Sequence, residues 1–543
     1  MNRTTLAAAA ILALTPAAAQ ECETRTFLGR TAAESGTGGG VVIAGDEIER
    51  VLPRGAGVAA TANRCTTRLP DDAVILPGLT DGHAHLLGIG LREMTLNLEG
   101  TGSVAELQDR LRAAAAETTR GPIIGRGWIE TGWPEGRMPT AADLDAVVPG
   151  RPVLLTRADG HALVANSAAL RAAGIGPQTP DPDGGRIVRG EDGAASGLLV
   201  DAARGLVSGI KPPLTPARRR EALRRGAALY AARGWTGLHN MSVDGEDLPI
   251  IADLARRGEL PLRVASYVRP DAMGELSGPS CDETRRACTV GVKLYADGAL
   301  GSRGALLFDP YADEAETLGL QLISEADAKA LYAEAAAKNF QVTTHAIGDR
   351  GNALVLDWYA EAMEEGRRWR IEHAQVLRPA DIPRFSRQGV IASMQPSHAI
   401  GDLKFAPDRL GDARLDGAYA WASLQGTGAV VVGGSDAPVE VGDPRIELYA
   451  ATERRALDGT QGDDWRAREA LSRRAALRLF TTAPAYALGQ ERRAGRLAPG
   501  FAADLSVFCG DPFGGPDAAT PLFTVVGGEV IGDAGAACPG GPE

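Results

Sequence analysis

The sequence predicts an α/β protein: a (β/α)8 TIM barrel beside a β-sandwich built from both chain ends, with a large insertion after the first barrel strand. Three observations carry this expectation. Short β-branched or apolar runs alternate with Ala-, Glu- and Arg-rich helical stretches through the middle of the chain. Both ends are instead short strands separated by Gly and Pro turns. Between about Ser103 and Arg225 the alternation breaks. From pattern alone, a doubly wound sheet is the alternative to the barrel.

The elements follow in chain order. Residues 1–19 read as an export signal: Arg3 supplies a positive charge, Leu6 to Leu14 an apolar run, and Ala17 to Ala19 a small-residue cleavage site. The apolar run is too short to span a membrane, and Gln20-Glu21 before Cys22 argues against a lipid anchor. The mature chain is expected to be exported without a stable membrane anchor, and periplasmic in a Gram-negative host. Residues 20–75 and 490–543 form the expected sandwich. Its strands are "GGVVIAGDEIERVL", a hairpin around a Gly-Asp turn, then "DDAVILPG", and at the far end "GRLAPGFAADLSVFCGDP" and "PLFTVVGGEVIG".

Residues 76–489 hold the expected barrel. Counting from "AVILPG", its strand runs include "GWTGLHNM", "LRVASYV", "VGVKLYADG", "FQVTTHAIGD", "RWRIEHAQV", "GVIASMQPSH" and "GAVVVGGSDAPV", about eight units in all. The insertion, 103–225, contains "GRGWIETGWPEGRMPT" and "TRADGHALVANSAALRAAG".

A net charge of −12 without a basic stripe argues against nucleic acid. The six cysteines include no C-x-x-C. With an export signal they predict disulfides, Cys281–Cys288 foremost; Cys22 and Cys65 lie near one end, Cys509 and Cys538 near the other.

The chemistry is concentrated in few residues. His83 and His85 stand two apart, and residues i and i+2 of a strand share a face. Both imidazoles can therefore meet one metal at the active end of the first barrel strand. His345, His373 and Asp436 each end a later strand-like run. Lys293 lies inside an apolar run, where an ammonium is costly unless paired or used.

With these motifs the chain resembles the metal-dependent amidohydrolase superfamily, in its family 3 branch with YtcJ-like and N-substituted formamide deformylase-like proteins. The resemblance rests on "PGLTDGHAHL", "GVKLYADGALGSRGA", "TTHAIGDRGN", "RIEHAQV", "ASMQPSH", "GGSDAPV" and "GRLAPGFAADLSVF", and covers most of the chain. It implies a barrel beside a composite sandwich. It also implies that His83, His85 and Asp436 hold a first divalent metal, and that His345 and His373 hold a second. Lys293, as a carboxylated lysine, would bridge the two. Nitrogen and oxygen ligands suit zinc; one ion or two is left open. Asp436 is the expected catalytic base, taking a proton from water and passing it to the leaving nitrogen.

Candidate substrate contacts are His161, His239, Arg303, His398 and Trp128. Trp128 and Trp133 either wall the pocket or belong to the insertion's own core, and Asp349 is a residue that orients neighbours. The expected reaction is hydrolysis of a non-peptide C–N bond in a small amide, with a homodimer left open. An ester, lactone or cyclic amide on the same site is the alternative. A non-catalytic periplasmic metal- or solute-binding protein is the alternative of another class.

Overall fold

The computed structural model describes residues 24–538, apart from 33–37, 56–64, 131, 159, 161, 183–184, 191, 460–461 and 463–464. The expected export signal, Cys22 and His161 lie outside the described residues.

Eight parallel strands form the central sheet in simple chain order. They are β1 (Leu79–Ala84), β2 (Trp235–Val243), β3 (Arg263–Val268), β4 (Ala287–Tyr295), β5 (Gln341–Ala346), β6 (Arg370–His373), β7 (Ile391–Met394) and β8 (Val431–Gly433). Most of their residues are buried, as expected of a parallel sheet covered on both faces.

The sheet curls until β1 and β8 meet. Just past the two strands, Asp436 N–H donates to the His83 carbonyl (2.7 Å) and His85 N–H to the Ala437 carbonyl (2.8 Å). Two glycines permit this approach. A Cβ on Gly434 would sit 2.5 Å from the His83 nitrogen, and one on Gly82 2.3 Å from Val432 Cγ1. The barrel seam therefore sets the H-x-H pair beside Asp436.

The chain ends build two further sheets. One contains Thr24–Leu28, Gly40–Ala44, Glu47–Leu52 and Thr66–Arg68; the other contains Arg30–Thr31, Ala73–Pro77, Leu505–Gly510, Ala519–Val526 and Glu529–Gly532. Phe27, Ile43, Ile75, Val507 and Phe523 share the core between them. The expected hairpin turns at Gly45, whose φ of 58° suits glycine. Ser506 fastens this sandwich to the barrel: its hydroxyl accepts from Leu79 N–H (3.0 Å) and donates to the Gly234 carbonyl (2.7 Å).

The insertion forms its own six-stranded sheet, from Leu96–Asn97 to Ala195–Asp201. The helix Pro216–Ala232, which the sequence reading placed inside the insertion, packs instead on the helix Leu86–Glu93 of the barrel. Its arginine-rich outer face hides an inner face of Ala222, Leu223, Gly226, Ala227 and Tyr230. Cys281–Cys288 and Cys509–Cys538 are disulfide-bonded.

Candidate active site

The ends of β1, β5, β6 and β8 bring His83, His85, His345, His373 and Asp436 together, with Lys293 on β4 beneath them. Asp436 Oδ1 lies 3.2 Å from His83 Nε2 and 3.0 Å from His85 Nε2. The His83 and His373 ring centres are 5.0 Å apart, and those of His345 and His373 are 4.4 Å apart. His398, in the short helix Pro396–Gly401 after β7, stacks on His373 at 5.9 Å and 15°.

Three of the imidazoles are oriented alike. His83 Nδ1 meets Glu372 Oε2 at 2.6 Å, His85 Nδ1 meets the Met241 carbonyl at 3.0 Å, and His373 Nδ1 meets Gln395 Oε1 at 2.8 Å. Each of these partners accepts, so each ring donates through Nδ1 and turns Nε2 toward the site; on His83 and His85 that Nε2 faces Asp436 Oδ1. Burial opposes charge on Glu372, but Arg370 and His83 outweigh it and hold its carboxyl below the usual range. Arg370 is itself fully buried. Its guanidinium contacts Glu372 (2.8 Å), the Gly82 carbonyl (2.7 Å), Ser393 (2.8 Å) and His239 Nδ1 (2.7 Å).

Electrostatics prepare these groups for coordination. Burial and then the Lys293 charge push His345 down to about 3. Burial also pushes His373 well below the ordinary histidine value. Burial would raise Asp436, but His83 and His85 overcome it and hold the carboxylate ionised. Burial lowers Lys293 to about 8, and its Nζ has no hydrogen-bond partner. His373 and Asp436 both take positive φ, 75° and 58°, a conformation that costs a non-glycine residue about 1–3 kcal/mol and recurs at functional sites.

These residues fit a divalent metal. His83, His85 and Asp436 offer ligand atoms within 4.8 Å of one another, and so do His373, His398 and Asp436. The donors are imidazole nitrogens and a carboxylate, the groups that hold such metals, and burial disfavours the charged form of His373.

Several predicted residues lie elsewhere. Trp128 does not wall the site: its indole donates to the Leu155 carbonyl (2.8 Å) inside the insertion's own core, beside Trp133. Arg303 pairs with Asp313 (2.9 Å) in a partly exposed ion pair. His239 is buried in the barrel with its Nδ1 2.7 Å from the Arg370 guanidinium. Asp349 accepts from Phe308 N–H (3.0 Å) and anchors the loop after β4.

Sequence reasoning passed over three carboxylates. Glu372 sets the His83 tautomer. Asp81 accepts from His83 N–H (3.0 Å), Ser435 N–H (3.0 Å) and Ser435 Oγ (2.6 Å), tying β1 to β8. Asp297 accepts from Leu306, Ile347 and Gly348 N–H groups and stands 3.5 Å from His345 Nε2. The available signal was a charged residue inside or beside an apolar strand, as in "RIEH" and "LTDGHAH".

The barrel and its histidine–carboxylate mouth define a metal-dependent hydrolase. The chain belongs to the amidohydrolase family, whose model matches residues 71–531. It is 35% identical to the YtcJ protein of Bacillus subtilis (strain 168) over 485 residues, covering 84% of this chain and 89% of that protein. It is 25% identical to N-substituted formamide deformylase of Arthrobacter pascens over 476 residues, covering 81% and 84%. Among solved structures, an uncharacterized metal-dependent hydrolase from Pyrococcus furiosus superposes with a TM-score of 0.73 at 27% identity, covering 90% of this chain and 100% of that one.

Proposed function

We propose that the protein is an exported amidohydrolase that cleaves the C–N bond of a small amide of the N-substituted formamide type. His83, His85 and Asp436 would hold one zinc ion; Lys293, His345 and His373 would hold a second, with Lys293 carboxylated. The bound metal supplies Lewis-acid polarisation of the carbonyl and a more acidic water.

The chain's own residues do the rest. Glu372, Met241 and Gln395 fix three imidazoles with Nε2 facing the site. Asp436, held ionised, accepts the proton of the attacking water as its oxygen bonds to the acyl carbon. The same carboxyl then delivers that proton to nitrogen as the C–N bond breaks. The balance is RCONHR′ + H2O giving RCOO⁻ and R′NH3⁺. The likeness to the formamide deformylase supports the substrate class, and Arg3 with its following apolar run supports export.

One observation carries the reading: Asp436 touches both histidines through Oδ1, while Oδ2 lies 3.8 Å from His398 Nε2, beyond hydrogen-bond reach. A simple metal-binding protein has no need of a carboxylate oxygen left free beside its ligand histidines. The test is metal quantification with a hydrolysis screen of N-alkylformamides, other small amides and matched esters, on wild type and Asp436→Asn. The expected result is about one or two transition-metal ions per chain and a loss of turnover in the variant of about 10²–10⁴-fold. A metal-free wild type, or full activity in Asp436→Asn, would overturn it.

A further inference from the structure

Of the three imidazoles held through Nδ1, His85 has the least protected support. His83 and His373 are buried and lean on the side chains of Glu372 and Gln395. The His85 side chain is 28% exposed and leans on a backbone carbonyl, that of Met241. What fixes the Nδ1 side of this ring is therefore whatever fixes that carbonyl.

Met241 lies in an irregular stretch of β2. Asn240 pairs with Ser266 of β3, and Val243 with Val268. Three steps along β2 thus match two along β3, leaving one residue extra. Such a β-bulge bends its strand and re-aims the groups it carries. Ser242, next to Met241, has a φ of 57°, a left-handed conformation that glycine adopts freely and serine does not. The Ser242 side chain is tied down by Tyr295, the last residue of β4: the two hydroxyl oxygens are hydrogen-bonded at 2.5 Å. The bond joins β4 to β2 past β3, which lies between them. The Tyr295 ring also borders the site, with its centre 5.4 Å from that of His345 and 5.3 Å from Lys293 Nζ. A phenylalanine would make both ring contacts. The bond to Ser242 is what tyrosine adds.

We propose that Tyr295 is a positioning residue for the metal centre: through Ser242 it holds the bulge of β2 so that the Met241 carbonyl keeps His85 turned with Nε2 toward the metal. This rests on the proposed role of His85 as a metal ligand, and not on which bond is cleaved. The Tyr295 residue is 40% exposed, so direct contact with substrate is the rival role, and the test separates the two.

The test uses Tyr295→Phe and Ser242→Ala, singly and together. Zinc affinity is measured by competition with a chelator. Each single variant is expected to bind zinc about 3–10-fold more weakly, a smaller loss than for a partner that touches the ligand itself. The double variant is expected to bind no more weakly than either single one, since both remove the same bond. In metal-free protein, NMR of ¹⁵N-labelled histidine follows exchange of the His85 Nδ1–H with water, which is expected to be faster in both variants. If Tyr295→Phe does not fold, Ser242→Ala removes the bond from the other side. Zinc affinity and exchange unchanged in the single variants, or losses that add in the double variant, would overturn the proposal. So would a Tyr295→Phe enzyme with a raised KM and wild-type zinc affinity, because its hydroxyl would then be serving substrate. A wild type that binds no zinc would sink the metal-centre reading instead, and the exchange measurement would still judge the Tyr295–Ser242 contact.

Discussion

His83 owes its tautomer to Glu372, and Glu372 owes its charge to Arg370. Glu372→Gln therefore has two expected effects. Metal affinity falls by about 10–100-fold, since a neutral amide no longer lends the imidazole the charge of the buried carboxylate. Stability falls by about 3–5 kcal/mol, because Arg370 is left buried without its counter-ion. Metal titration and thermal melts measure the two separately; wild-type values in both would refute this account of the buried chain. Lys293 gives a second expectation at the same scale. Only a neutral amine can attack carbon dioxide, and burial brings this amine down to about 8. Metal-free protein exposed to ¹³C-bicarbonate should show a carbamate carbon by NMR, growing as pH rises through about 8 and absent from Lys293→Arg. A spectrum identical in wild type and variant would exclude carboxylation there.

At the scale of elements, the decisive feature is the seam between β1 and β8. It works because Gly82 and Gly434 let the two strand ends touch, so that Asp436 N–H reaches the His83 carbonyl. Gly434→Ala would drive a methyl against the His83 backbone and Cβ. The expected cost is about 1–3 kcal/mol of stability from overpacking, together with loss of metal, since the displaced atoms belong to His83. Gly150→Ala is the control, because a methyl there meets nothing within 4 Å. Equal melting temperatures for the two variants would show that the seam tolerates separation. Of the strands at this seam, β8 was legible as an apolar run ending in Asp; the run from which the barrel was counted, "AVILPG", belongs to the sandwich, and β1 is the less apolar Leu79–Ala84 after it. The tightness was not legible, because a glycine in "DGHAH" or "GGSDAP" reads equally well as a turn.

Across the whole molecule, the sequence was most informative where one core is served by one pattern, and least where several cores compete. Trp128 was left between two places, and the helix Pro216–Ala232 was drawn partly into the insertion, for this reason: composition shows that a tryptophan or an alanine stripe is buried, but not against which sheet. Glu372 was missed because it sits between two more conspicuous residues, Arg370 and His373, whereas Lys293 stood out as a single charge in an apolar strand. The sandwich was visible from both ends, yet its energetic link to the barrel was not. Ala73–Pro77 pairs with Leu505–Gly510 and then leads through Gly78 straight into β1, so the C-terminal strands brace the entry to the metal site. The Cys509–Cys538 bond ties the last residues onto that sheet across a separation of 29, whereas Cys281–Cys288 spans only 7. By loop-closure entropy the first contributes about 3–4 kcal/mol and the second about 2–3 kcal/mol. Paired serine substitutions at 509 and 538 should therefore lower the melting temperature more than those at 281 and 288. The 509/538 variant should also release metal earlier on heating, because the strand that feeds His83 loses its partner first. If it melts earlier but holds metal to the same temperature as wild type, the sandwich and the barrel mouth are independent.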